Sequence, residues 1–364
     1  MNRKIKSLYI HIPFCAHFCH YCDFTKLFYN HKFSEPYLKA LFDEINSYHM
    51  DKVDTIYIGG GTPTSLNDEE LALLLSKVKP YLNEGGEFSI EANVENLTES
   101  KIKIMLAHGV NRLSIGVEST DDKLLKAIGR HHTFEDARRV IALAKSLGLT
   151  NINVDLIYGF PHQTIDELRK DIKNILTLDV DHISTYSLIV NENTTFYKEH
   201  IKEQNQDDSR LFYDEILSEL RKHGYERYEI SNFARNKKYS RHNLTYWHDE
   251  EYYGVGLGAS GYVNGVRYTN TKNITKYLAH EYVDIKEELT KEEQIEDFLL
   301  CHFRLQDGFL RKGFKNRFGV DFTEMFSSKI DELINDGLLI INDDRIMLSD
   351  EGLITMDRIL LKLL

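Results

Sequence analysis

The residues best suited to chemistry are three cysteines at positions 15, 19 and 22, within the stretch HIPFCAHFCHYCDF. Three thiols on one short loop suit metal ligation better than disulfide pairing. A [4Fe–4S] cube has four irons, each taking one ligand. Spacings of four and three let one loop wrap three of them and leave the fourth iron to a small molecule. A zinc ion held by the cysteines with His17 or His20 is the competing reading of the same loop. The fourth cysteine, Cys301, stands in DFLLCHF at an apolar helical spacing and reads as a buried core thiol.

A second set of chemical groups recurs at the ends of strand-like segments. Strands are expected at SLYIHI (7–12), TIYIGG (55–60), EFSIEAN (87–93), RLSIGVE (112–118), NINVDLIYG (151–159) and HISTYSLIV (182–190). Amphipathic stretches such as 68–82 and 133–148 separate them as helices. This alternation predicts an α/β fold of βα units, with six strands suiting an open, partial barrel; a doubly wound sheet remains the alternative. In parallel α/β folds, sites form beyond the C-terminal strand ends. The cysteine loop follows the first strand and GGGTPT (59–64) the second; Glu91 and Asn93 end the third, Glu118 ends the fourth, and Asp155 lies in the fifth. GGGTPT lacks the Lys-Ser/Thr ending of a phosphate loop. Its glycines permit close backbone approach, whether for a ligand or for a tight turn. GVGLGASG (254–261) has a formal G-x-G-x-x-G spacing but no strand-then-helix frame, so it reads as close packing against the barrel mouth.

The totals bound the partners. Lys+Arg 45 against Asp+Glu 57 gives a net charge of −12, which argues against a general nucleic-acid binder. No apolar run reaches membrane-spanning length, no signal peptide is read at the N-terminus, and the clustered thiols fit a reducing cytoplasm. Residues 240–270 show no helical period and are expected to be irregular strands and loops. Residues 337–352 read as a hairpin around Asn342-Asp343-Asp344, flanked by helices in a winged-helix-like α+β unit whose acidic helix does not suit DNA. The expected divisions are 1–230 for the partial barrel with its cysteine loop, 231–285 for a connecting segment, and 286–364 for the winged-helix-like domain.

C-x3-C-x2-C directly after a first strand resembles the signature of the radical S-adenosylmethionine (SAM) superfamily. The stretches YIHIPFC, CHYCDF, GGGTPT, IEAN, NRLSIGVES, IGRHH, NVDLIYGFPHQT, HISTYSLIV, YEISNFA and RHNLTYW are similar to the branch of oxygen-independent coproporphyrinogen III oxidase and the heme chaperones. The resemblance spans almost the whole chain. It implies a (β/α)6 partial barrel, a [4Fe–4S] cluster on Cys15, Cys19 and Cys22, and SAM on the open iron. It places SAM contacts at Tyr9, Tyr21, Gly60, Gly61, Thr62, Glu91, Glu118, Arg130 and Asp155. Arg130 can meet a carboxylate bidentately, and Glu91 and Asp155 can accept from ribose hydroxyls or an ammonium. The family usually has glutamine where Glu118 stands, and a proline where Val94 follows Asn93.

Within that branch, Phe24 occupies the position of a further cysteine in the oxidases, and the first strand starts at about residue 7 without the oxidases' N-terminal extension. HNLTYW (242–247) matches a motif of the heme-chaperone group. These features imply heme binding and transfer to acceptor proteins such as membrane respiratory enzymes, with a homodimer as a candidate assembly. A coproporphyrinogen-decarboxylating radical enzyme is the alternative. Neutral imidazole ligates heme iron, so His242 is the heme candidate, flanked by Tyr246 and Trp247. Its other reading is a hydrogen-bonded anchor.

Overall fold

The computed structural model describes residues 4–364. Six strands, β1 (Ser7–Ile12), β2 (Val53–Gly60), β3 (Leu82–Asn93), β4 (Arg112–Glu118), β5 (Ile152–Tyr158) and β6 (His182–Ser187), lie side by side in chain order. Every neighbouring pair is parallel. A doubly wound sheet would reverse its strand order at a switch point; this one does not, so it is a partial barrel. Three short strands extend it. β7 (Glu226–Glu229) and β8 (Asn232–Ala234) run antiparallel beyond β6, and β9 (Tyr253–Val255) pairs parallel with β1. The order is β9-β1-β2-β3-β4-β5-β6-β8-β7, with two open edges.

The strand sequences explain the curvature. Side chains alternate between the two faces of a strand. Leu8, Ile10, Ile56, Ile58, Phe88, Ile90, Leu113, Ile115, Val154 and Ile183 belong to one buried apolar core together with helix residues such as Leu41, Leu74, Ile141 and Ile172. The intervening positions are polar: Ser7, Thr55, Tyr57, Glu87, Ser89, Glu91, Arg112, Ser114, Asn153, Asp155, His182 and Ser184. They hydrogen-bond one another, as in the chain Ser114–Asn153–His182–Tyr228. Apolar outside and polar inside, the barrel has a lumen that can hold a polar ligand.

The crossover helices start on side-chain caps near the strand ends. α1 (His31–Ser47) begins at Asn30, α2 (Asp68–Val78) at Asn67 with Glu70 closing a capping box, α3 (Glu99–Ala107) at Thr98, α4 (Phe134–Ser146) at Thr133 and α5 (Ile165–Leu176) at Thr164. α6 (Gln206–Lys222) leads to β7.

The segment expected to be irregular contains a helix, α7 (Arg241–Trp247). Seven residues are too few for a period to show in the sequence. Its first amides, Arg241 N and His242 N, donate to the Glu87 carboxylate at 3.0 and 3.1 Å, so a barrel carboxylate meets the positive helix end. The following glycine-rich loop packs closely, as its sequence suggests. At Gly256, where φ is +103°, a Cβ would lie 2.4 Å from the His11 carbonyl oxygen. A three-stranded antiparallel sheet then follows, Ser260–Val263, Val266–Asn270 and Val283–Glu288.

The C-terminal unit has its own core, in which Phe298 packs edge to face on Phe309 and Phe318, and Phe322 on Phe303 and Phe314. The hairpin Leu339–Asn342 with Arg345–Leu348 forms as expected, beside helices Arg311–Phe318 and Ser327–Asn335. This unit meets the barrel through ion pairs: Asp350 with Arg227 and Arg221, Glu351 with Arg210, and Arg317 with Asp249. Cys301 is buried. Among the described residues, no helix is long and apolar enough to cross a membrane.

Candidate functional site

The cysteine loop folds over the C-terminal mouth of the barrel. Two-residue strands, Phe14–Cys15 and Leu27–Phe28, pair to close its base. The GGGT turn after β2 is locked against it: Gly61 N donates to the Ile12 carbonyl, Thr62 N to the Phe14 carbonyl, and Thr62 Oγ1 approaches Cys15 Sγ at 3.6 Å. A Cβ at Gly61 would sit 2.8 Å from the Pro13 carbonyl carbon and 2.9 Å from Cys15 Sγ. The glycine is what allows this approach. Burial pushes the Cys15 thiol up to about 12, with Cys22 and Cys19 close enough to add to it. Burial likewise raises Cys22, partly offset by Lys26.

The imidazoles proposed for a zinc site are engaged elsewhere. His20 Nδ1 meets the Ala127 carbonyl at 3.0 Å, and the His17 ring stacks on His131 at 3.8 Å between centroids. Among the described residues, no three His, Cys, Asp or Glu side chains converge on one point as a single ion requires. Three thiols on one loop, with no fourth, are the donor set that a cube with one open iron takes.

Arg130 is the hub next to the thiols. Its side chain is 2% exposed. Nη2 donates to the Gly116 carbonyl at 2.5 Å, Nη1 donates to Asn93 Oδ1 at 2.9 Å and approaches Cys19 Sγ at 3.5 Å, and Nε has no partner. Glu118 and Glu95 lie 4.0 and 3.9 Å from the guanidinium. Glu118 sits at a bulge in the β4–β5 pairing with φ +67°, a left-handed conformation that is costly for a glutamate. Asp171 anchors the following turn by accepting from Thr120 N and Ser119 Oγ. A Cβ at Gly116 would fall 2.6 Å from Glu118 Oε1, so glycine makes room for this pair. Tyr21 reaches across from the loop to Glu118.

Deeper in the lumen, Tyr57 OH and Gly60 N donate to the two oxygens of Glu91 at 2.8 and 3.1 Å. Each oxygen keeps a lone pair for a ligand. Tyr9 stacks near Tyr57, 6.3 Å between centroids, with its hydroxyl on His11 Nδ1. Asp155 accepts from Asn153 Nδ2 at 2.8 Å. Burial raises Glu91 to about 7 despite its donors, and raises Glu118 and Asp155 as well. Three carboxyl groups held out of water beside two guanidiniums with unpartnered Nε atoms, Arg130 and Arg112, suit a ligand that is both cation and carboxylate. SAM is such a molecule, and the residues fit it.

The structure thus brings Tyr9, Tyr21, Gly60, Gly61, Thr62, Glu91, Glu118, Arg130, Asp155 and the three cysteines to one mouth and lumen. It does not bring His242 there as a free ligand. His242 is fully buried. Thr55 Oγ1 donates to Ser7 Oγ, so the 2.8 Å contact from His242 Nδ1 makes that nitrogen the donor to Thr55. Nε2 is then left to accept from Tyr246 OH at 2.8 Å. Burial lowers the ring to about 3, keeping it neutral. The lone pair an iron would need is taken, and the ring stacks on Tyr57. Trp247 packs under Arg304 of the C-terminal unit, 4.4 Å from guanidinium to ring. In this structure the ring is a hydrogen-bonded anchor, the second of the two readings its sequence allows. We expect His242→Ala to lower stability by about 2–4 kcal/mol, from lost packing and two orphaned partners, with heme affinity unchanged. Denaturant unfolding and heme titration on the same preparation check both parts.

Several residues escaped the sequence reading. Tyr57 orients Glu91. Arg112 is fully buried in the lumen with Nε unpartnered, near Glu91 and Asp155. His132 and Glu95 form a buried pair at 3.4 Å behind Arg130. Strand alternation marks Tyr57 and Arg112 as lumen-facing, whereas nothing local marks Glu95. Burial alone would raise Glu95, but His132 and Arg130 outweigh it and hold it at about 2. Its contribution to stability is complete above the unfolded value near 4.5 and disappears as pH falls toward 2. Glu95→Gln is expected to cost about 3 kcal/mol at neutral pH and to flatten the acid limb between those values. Urea titrations across that range test it.

Comparison with known proteins follows this geometry. Residues 9–175 match the Radical SAM superfamily and 289–354 the HemN C-terminal domain. The chain is 38% identical to the heme chaperone HemW of Lactococcus lactis subsp. lactis (strain IL1403), covering 97% of this chain and 95% of the relative. It is 39% identical to HemW of Bacillus subtilis (strain 168), with 96% of each covered. Its fold matches coproporphyrinogen III oxidase (HemN) from Escherichia coli with a TM-score of 0.86 at 22% identity, over 99% of this chain and 90% of the other. The chain belongs to the heme chaperone HemW family of radical SAM proteins.

Proposed function

We propose that this protein binds heme and passes it to acceptor proteins in the cytoplasm or at the inner face of a membrane, with a SAM-ligated [4Fe–4S] cluster at the barrel mouth. Family membership implies SAM and the cluster. The observation that carries the heme role is end-to-end similarity to relatives named heme chaperones. Cys15, Cys19 and Cys22 would hold three irons of the cluster, with the fourth left for SAM. When bound, the cluster and SAM supply a one-electron centre and a site whose occupancy can govern assembly or transfer.

The chain's own residues do the positioning. Arg130, already held by Gly116 and Asn93, would offer its unpartnered Nε to the SAM carboxylate. Glu91, fixed by Tyr57 and Gly60, and Asp155, fixed by Asn153, accept from the ribose hydroxyls or the ammonium. Glu118 accepts but cannot donate, unlike a glutamine in its place. Tyr9 and Tyr21 wall the site and exclude water.

One anaerobic preparation tests the reading. After cluster reconstitution, heme titration should give a Soret shift saturating near one heme per chain, and an apo-acceptor should then collect that heme. Incubation with SAM, a reductant and coproporphyrinogen III should yield no protoporphyrinogen. Appearance of that product would make the chain an oxidase instead.

A further inference from the structure

Arg112 is a buried cation with no contact partner. It starts β4, and strand register sets Tyr9, Tyr57, Ser89 and Arg112 side by side across β1 to β4. The residue is 1% exposed, and Nε has no hydrogen-bond partner. Among the described residues, no group accepts from the other two guanidinium nitrogens, and no carboxylate comes close enough for an ion pair. A guanidinium does not give up its proton in a protein, and a charge taken out of water needs compensation. Something else in the lumen must offset it.

The neighbouring titratable groups narrow the choice. His182 and His242 are kept neutral by burial, and the charge of Arg112 pushes both the same way. The hydroxyls of Tyr9, Tyr186 and Tyr246, which face Glu91, are raised by burial and carry no charge. Glu87 is taken by the start of α7. Glu229 accepts from Ser231 N and the Asn232 amide and lies 3.8 Å from Arg304. Glu118 lies 4.0 Å from Arg130. Glu91 and Asp155 remain. Glu91 accepts only from Tyr57 OH and Gly60 N, and Asp155 from Asn153, so neither has a cation in contact among the described residues.

These three groups act on one another across the lumen. Burial raises Glu91 to about 7 and Asp155 pushes it the same way, while Arg112 draws it down. Burial likewise raises Asp155, and Arg112 and Arg130 draw it down. A cation in contact would tie up a carboxylate's lone pairs. A cation held at a remove favours the charged form and leaves the oxygens open. SAM carries a sulfonium, an ammonium and two ribose hydroxyls. A protonated carboxyl would offer it no charge and less acceptor capacity than a carboxylate.

We propose that Arg112 is a positioning residue for the SAM site, its fixed charge keeping Glu91 and Asp155 as open carboxylates for the ligand. The inference rests on the SAM reading and adds to it a residue that acts through those two carboxylates. Toward the cations of SAM itself Arg112 is repulsive. Its removal therefore changes the pH at which SAM binds, not the tightest binding reached.

The test is isothermal titration of the cluster-loaded full chain with SAM, from about pH 6 to about pH 9, for wild type, Arg112→Gln, Arg112→Lys and Glu91→Gln. The amino group of SAM titrates alike in every sample, so differences belong to the protein. In Arg112→Gln the two carboxyls keep their protons to higher pH. The rise of affinity with pH should move up by about one unit, about tenfold weaker binding on the acid side, with an alkaline plateau no lower than wild type. Arg112→Lys keeps the charge and should keep the wild-type midpoint. Glu91→Gln should make the wild-type rise shallower, and a rise of unchanged steepness overturns the inference whatever the Arg112 variants do. One shared midpoint for wild type and Arg112→Gln, a loss equal at every pH, or equal shifts in the glutamine and lysine variants would also overturn it while sparing the SAM site. No SAM binding by wild type at any pH would remove the SAM reading itself.

Discussion

Cys15→Ala, Cys19→Ala and Cys22→Ala are each expected to lose nearly all cluster iron after anaerobic reconstitution, and SAM binding with it, while Cys301→Ala keeps both. The reason is geometric. Cys15 is held by the Thr62 contact and the paired strands under the loop, and Cys19 lies against Arg130. Each thiol is at a fixed corner, and the adjacent histidines cannot move in as substitutes because His20 is bonded to Ala127 and His17 is stacked on His131. A cube missing one protein ligand has two open irons and is prone to loss in chelator. Iron and sulfide analysis, with the visible charge-transfer absorption, measures the first part; isothermal titration with SAM measures the second. Full iron content in any one of the three variants would mean that the loop does not hold the cube as described. The fold itself should survive, since the loop contributes only Phe14 and Cys15 to the buried apolar set before Leu27.

Arg130→Gln carries the second large effect, and it acts on two quantities at once. The guanidinium is buried with hydrogen bonds to Gly116 and Asn93 and two carboxylates within 4.0 Å. Removing one member of a buried charged group leaves the others uncompensated and typically costs 3–5 kcal/mol. Part of that is recovered here, because Glu118 is already raised by burial and can take up a proton. We expect a loss of about 3 kcal/mol in unfolding free energy. SAM affinity should fall by about two orders of magnitude, as charge-assisted hydrogen bonds are worth about 1.5–3 kcal/mol each. Arg130→Lys keeps the charge but not the planar fork, so it should recover most of the stability and little of the affinity. Equal SAM affinity in Arg130→Gln and wild type, with the cluster intact, would remove Arg130 from the site.

Much of this site was readable before any coordinates. The cysteine spacing, the glycine turn and the acidic strand ends each named a place at the mouth, and the strand limits came within a few residues: 55–60 expected against Val53–Gly60, 112–118 against Arg112–Glu118. Those features are local. A strand's alternation and a loop's ligand spacing are carried by neighbours in sequence, so they can be seen there. Helix α7 was missed because its seven residues are too few to show a period, and Glu87, which accepts from its first amides across the barrel, lies far away in the chain.

His242 is the clearest division between the two levels. Its motif identified a relationship and its residue type permitted iron ligation, but Thr55, Tyr57 and Tyr246 surround it only after β2 and α7 pack together. Availability of a lone pair is a property of the packed neighbourhood. The same holds for Glu95 and His132, which meet only in the fold. Composition and spacing determined which elements form and which atoms are capable of chemistry. Tertiary contact decided which of those atoms remain free to perform it, because a hydrogen bond formed in the interior uses the same electrons a ligand would need.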